Sequence, residues 1–254
     1  MRWTGLAGIV ALSSALIAGM TSGVAQAQAA STFTLEPGGK ATITFNAFCT
    51  NFGKKFPTSI QAPNAAAPDA QRAAVAYIQS SNLAATPQQA LEAQYGLWQV
   101  VGATNSPAGG DVAKAVVSAA KTAPVTPAGT SVVDAAKQNQ VKLTLNSWTP
   151  TGDKVQLGTA TDNFYGSGTL TVENSSQQRL TLSMPAGTLF PPTTAGEQTM
   201  AGFATKVDVA NPQTTTKPTT LPATGGSETH TLLIGFAIML LLSAGALRVL
   251  RRMN

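Results

Sequence analysis

Two residues in this chain have side chains whose chemistries fit each other. Cys49 is the only cysteine among 254 residues. Gln94 sits three or four positions from Ala90, Leu91, Leu97 and Trp98, in the middle of an apolar stripe at helical spacing. A thiolate that attacks a side-chain amide carbon forms a carbon–sulfur bond, expels the nitrogen as ammonia and leaves an internal thioester. A carboxamide buried without partners costs about 1–3 kcal/mol, so Gln94 needs a specific neighbour. The bland alternative has Cys49 as an inert small hydrophobe and Gln94 tied to backbone groups. Residue types alone leave both readings open.

The elements that must position this pair are legible as patterns. Residues 31–49 read as two strands around Pro37-Gly38-Gly39. Ile43, Phe45, Ala47 and Cys49 share one parity, and Thr42, Thr44 and Asn46 the other, which marks a half-buried strand. Cys49 is therefore in phase with the buried face, at the strand exit. Residues 68–138 are Ala-rich and helical. One helix is predicted over 68–80. A second starts at Thr86-Pro87-Gln88-Gln89, with a Thr N-cap, Pro at the first position and Gln three residues after the cap. It runs to about Val101, which closes its apolar stripe, and stops at Gly102. Shorter helices are expected over 109–121 and 131–138. Strands return at Val141, Leu143 and Leu145. Residues 169–184 are predicted to form a hairpin around Asn174-Ser175-Ser176-Gln177, and 204–210 a last strand. The fold class expected is α+β: a single surface domain over 28–210, an antiparallel β-sandwich or barrel with 68–138 as a helical insertion. Residues 211–220 are Thr- and Pro-rich, as in an extended spacer.

The two ends carry addresses. Leu221-Pro222-Ala223-Thr224-Gly225 is followed by an apolar run over 231–247 and by Arg248, Arg251 and Arg252. The run is at the short end of the roughly 17–25 residues that span a bilayer, and terminal arginines stop transfer. This order resembles the LPxTG sorting signal of Gram-positive cell-wall proteins. The resemblance implies that residues 231–247 hold the precursor in the membrane while a sortase thiol attacks the Thr224 carbonyl. Everything from Gly225 onward leaves, and the Thr224 acyl group passes to an amine of peptidoglycan or its precursor. At the other end, Arg2, an apolar stretch and Ala25-Gln26-Ala27 read as a secretory signal peptide over 1–27. The expected location is exported, on the cell wall, after a transient membrane stage.

Composition excludes several function classes. The formal charge of +5 falls to about +2 once Arg2, Arg248, Arg251, Arg252 and Glu228 are removed with the end segments. No basic stripe with interleaved aromatics remains, which argues against nucleic acid as a partner. The only histidine, His230, lies beyond Thr224, so Ser-His-Asp and Cys-His catalysis and histidine metal sites are absent from the processed chain. Asp134, Asp153 and Asp162 have no spacing that marks a carboxylate pair or a calcium loop. No enzyme activity, cofactor or metal is expected. Lys54-Lys55 as an anion spot and Trp148 with Tyr165 as a glycan platform are weaker candidates than solvated lysines and core aromatics.

A second resemblance covers roughly residues 40–102. Ala93-Gln94-Tyr95-Gly96-Leu97-Trp98 resembles the TQxA(I/V)W motif of thioester domains in Gram-positive surface adhesins. Phe48-Cys49, followed by Lys54, Lys55 and Pro57, resembles their cysteine segment. Ala93 stands where that family has Thr, and Gly96 where it has Ala. The resemblance implies a Cys49–Gln94 thioester, Trp98 packing beneath the helix, and covalent capture of amines on an unidentified surface or host ligand. The reading is thus a cell-wall-anchored surface protein, an adhesin by resemblance. The alternative is a non-covalent binding or spacer module with an inert Cys49.

Overall fold

The computed structural model describes residues 32–212 apart from 153, 158 and 159. The signal segment 1–27, residues 28–31 and 213–220, the motif Leu221–Gly225, the apolar run 231–247 and Asp153 lie outside the described residues. The strands are β1 (Thr32–Leu35), β2 (Lys40–Cys49), β3 (Ala65–Ala66), β4 (Thr130–Ser131), β5 (Val141–Thr151), β6 (Val155–Leu157), β7 (Ala160–Asp162), β8 (Tyr165–Asn174), β9 (Leu180–Ser183), β10 (Thr188–Phe190) and β11 (Met200–Ala210). The helices are α1 (Asp69–Ser80), α2 (Pro87–Val100), α3 (Asp111–Ala119) and α4 (Val132–Lys137). Six strands in the order β3-β10-β11-β2-β8-β5 make a curled antiparallel sheet, a half-barrel. A smaller sheet, β1-β9-β4, is antiparallel between β1 and β9 and parallel between β9 and β4. This is the expected α+β class, with α1 to α4 all inside the expected helical insertion.

The long strands alternate because one face is buried. In β2, Ala41, Ile43, Phe45 and Ala47 point into the core, with Lys40 and Thr42 exposed. At its end the alternation stops, and Phe48 and Cys49 are both buried. There Phe48 stacks on Tyr165 at 5.4 Å on one side of the strand, and Cys49 faces the helices on the other. β11 behaves likewise: residues 200–204 are all buried and the strand becomes exposed beyond them. That two-sided burial hides the period-two pattern, which is why the strand begins four residues earlier than the expected 204.

The 169–184 hairpin is corrected. The turn after Asn174 forms, but β8 pairs with β2 and β5 while β9 pairs with β1 and β4. Asn174, almost fully buried, donates its side-chain amide to Leu35 O at 3.1 Å and to Gln178 O at 2.7 Å. The two turns also bond to each other: Gly38 N donates to Asn174 O at 3.0 Å, and Asn174 N to Gly39 O at 2.9 Å. At this one place the chain changes sheets twice. Local pattern predicts strands well but pairing poorly, because the partner is set by such non-local anchors.

Helix α2 starts as its sequence dictates. The Thr86 hydroxyl accepts from Gln89 N at 3.3 Å, and Pro87 occupies the first turn. Its buried residues are Ala90, Ala93, Gln94, Gly96, Leu97 and Trp98, and Val101 is the C-cap and exposed. Val101 thus drops out of the expected stripe, and Ala93 and Gly96 join it because α2 is covered on two sides. One side meets β2 and the other meets α3. A Cβ on Gly96 would come within 2.7 Å of Ala113 O and 2.8 Å of Val116 Cβ. The glycine at this motif position therefore lets α3 approach α2 more closely than an alanine would.

Candidate functional site

The structure brings Cys49 and Gln94 together, and both are fully buried. Cys49 N donates to Gln94 Oε1 at 2.9 Å, and Gln94 Nε2 donates back to Cys49 O at 2.8 Å. The carboxamide of a helix is thus docked at two points on the backbone of the residue that carries the thiol. Cys49 N is shared with Phe164 O at 3.1 Å, and Cys49 Sγ contacts Met200 Sδ at 3.9 Å. Met200 is the residue opposite Cys49 in the β2–β11 register. Ala93, the residue before Gln94, is fully buried.

This arrangement has a chemical meaning. The N–H of Cys49 points at the one oxygen that would gain charge if Gln94 Cδ became tetrahedral, which is the geometry that stabilises an oxyanion. The same pair of bonds also gives each polar atom of a buried amide a partner, so it serves packing as well. Burial pushes the Cys49 thiol well above its ordinary value of 9.0, and the nearby Asp162 carboxylate pushes in the same direction. Both disfavour the thiolate. With the folded value raised, a free Cys49 thiol contributes stability that is fully present below about pH 9 and is lost as pH rises towards the folded value. The uncrosslinked protein should therefore lose up to about 1.4 kcal/mol per pH unit above pH 9 relative to Cys49→Ala. A thioester form, with no thiol to ionise, should show no such difference. Urea unfolding at stepped pH on both proteins measures it.

Trp98 lies one helical turn beyond Gln94 and is fully buried. Phe52 meets it edge-on with ring centroids 4.9 Å apart, and Tyr95 lies against it at 6.1 Å. Its indole N–H is buried without a hydrogen-bond partner. Trp98 is thus packed within the core, with Phe52 as a partner that no motif revealed. Gln198 was also invisible in the sequence, where it is one glutamine in a loop. In the fold it is buried and holds the segment that follows Cys49: Asn51 N donates to its Oε1 at 3.1 Å, its Nε2 donates to Lys54 O at 2.7 Å, and its N to Lys55 O at 2.9 Å. Met200, beside the sulfur, is recoverable only from strand register.

Trp148, Tyr165, Asp162 and Asp134 each have partners within the fold. Trp148 stacks on Phe45 and Phe56 and donates its indole N–H to Pro57 O at 3.2 Å. Tyr165 is buried against Phe48 and Phe164, so the two are not an open platform. Asp162 accepts from Phe56 N at 2.8 Å and from Asn163 N at 2.9 Å, which fixes two loops. Asp134 is exposed in the first turn of α4 and bonds to the capping Ser131. Lys54 and Lys55 are exposed. A cleft of about 430 Å³, lined by Arg72, Thr130, Asp134 and Thr188 among others, includes neither Cys49 nor Gln94.

Residues 213–254 match the family model of the LPXTG cell wall anchor motif. The chain is an exported, cell-wall-anchored surface protein. The match covers Leu221, Pro222, Ala223, Thr224 and Gly225, and it carries with it processing by a sortase and attachment to peptidoglycan. No helix among the described residues is long and apolar enough to cross a membrane, and the 231–247 run lies outside them. No curated protein and no solved structure matches the chain.

Proposed function

We propose that this wall-anchored protein is an adhesin that captures target amines covalently through a Cys49–Gln94 thioester. The observation that carries the reading is the two-point docking of the Gln94 carboxamide on Cys49. In bond formation, Cys49 Sγ attacks Gln94 Cδ while Cys49 N–H holds Oε1. The C–N bond breaks, and the thiol proton leaves with the nitrogen as ammonia. In capture, a target amine attacks the same carbon, an amide forms, and the sulfur departs and takes up the amine's proton. No oxidant or metal is needed. The buried setting keeps water from the acyl group, and a covalent link to the target does not dissociate under shear.

One observation favours a second reading. The Cys49 sulfur rests against Met200, and both polar ends of Gln94 already have partners. That describes an inert thiol beneath a hydrogen-bonded clasp, in a non-covalent binding or spacer module. Methylamine separates the two. In the thioester reading it adds to Gln94 and frees one alkylatable thiol at Cys49, and Cys49→Ala does neither. In the second reading methylamine leaves Gln94 unchanged.

A further inference from the structure

The segment 51–55 leaves β2 immediately after Cys49 and crosses towards α2. Its inner side is made by Phe52, whose ring meets Trp98 one turn past Gln94. It therefore spans the seam from one partner to beyond the other. Its outer side is solvent: Asn51, Gly53, Lys54 and Lys55 are exposed. Gly53, at φ +87°, adopts a conformation that favours glycine, and a Cβ there would meet nothing within 4 Å. The segment is thus one layer thick, with a bend at its middle and open space outside it.

Three anchors hold this layer down. Thr50 is tied to Thr199 O through both its N–H, at 3.1 Å, and its hydroxyl, at 2.8 Å. Phe56 N is held by Asp162 at the far end. Between them the Gln198 side chain reaches the layer at Asn51 and Lys54, alongside the Phe52–Trp98 contact and the Thr50 hydroxyl on Asn51 Oδ1 at 2.9 Å. Gln198 is itself buried, so its amide is an organised latch. We infer that residues 51–55 are a strap over the Cys49–Gln94 seam, and that Gln198 is the positioning residue that sets how often the strap opens to admit a reagent. This regulation rests on the thioester reading for its biological meaning. The access it describes exists for a thioester or for a free thiol alike.

When opening is rare and fast, modification of the buried pair proceeds in proportion to the open fraction. Gln198→Met keeps the side chain's length and removes both of its side-chain hydrogen bonds. Each such bond shifts an equilibrium about fivefold, so the rate should rise roughly 25-fold. The experiment uses the wall-displayed protein on cells, exposed to methylamine or to iodoacetamide, with peptides containing Cys49 and Gln94 quantified over time. Asn174→Ala, a destabilising change far from the strap, runs alongside. A Gln198→Met rate within twofold of wild type overturns the inference. So does an equal acceleration by Asn174→Ala, since access would then come from general unfolding. Methylamine on Gln94 indicates a thioester and iodoacetamide on Cys49 a free thiol, so failure of the thioester is read separately from failure of the strap. Should Gln198→Met not be displayed, Phe52→Ala loosens the strap from its other contact. It should accelerate labelling, and an unchanged rate would sink the idea.

Discussion

Gln94→Ala should lower the stability of the uncrosslinked domain by about 3–5 kcal/mol, enough to unfold a marginal protein. The substitution leaves a cavity between α2 and β2 and removes the acceptor of Cys49 N and the donor to Cys49 O at one stroke. Cys49 N keeps Phe164 O, so the carbonyl bears most of the loss. Gln94→Glu should be no milder. One carboxylate oxygen could still accept from Cys49 N, but the other would face Cys49 O where an N–H now stands at 2.8 Å. The carboxyl would have to take up a proton to stay buried, and the variant should be more stable at acid pH than at neutral pH. Denaturant unfolding at pH 5 and pH 8 checks both changes. A Gln94→Ala loss under 1 kcal/mol would mean that the clasp contributes little.

Deletion of Leu221-Pro222-Ala223-Thr224-Gly225 should move nearly all of the protein out of the wall fraction. Without that sequence the sortase has no acyl donor, and the chain should stay with the membrane through residues 231–247, uncleaved and correspondingly larger. Fractionation before and after muramidase digestion measures this. A deletion protein still released only by muramidase would show that wall attachment runs through another residue.

How much of this was legible differs by scale. Cys49 and Gln94 were each legible locally, one by strand parity and the other by sitting on an apolar helix face, while residue types alone left open whether the two meet. Helix α2 was readable because its start is a capping motif. The sorting motif was readable because its parts are contiguous. What could not be read was anything set by distant partners. The Asn174 turn looked like a hairpin, since the anchors that send β9 into the other sheet are Leu35, Gly38 and Gly39, more than a hundred residues away. Gln198 carried no signal, because a glutamine is a latch only once Asn51 and Lys54 are placed beside it. Gly96 looked like a departure from a motif until α3 was in view.

The central claim is a covalent bond, and mass reports it most directly. The intact mass of the processed chain, residues 28–224, should be lower than its formula by one ammonia. Cys49→Ala should show its full formula mass. A wild-type chain at full mass, with Cys49 alkylated on unfolding and Gln94 unmodified after methylamine, would contradict the account. The pair would then be a hydrogen-bonded clasp and nothing more.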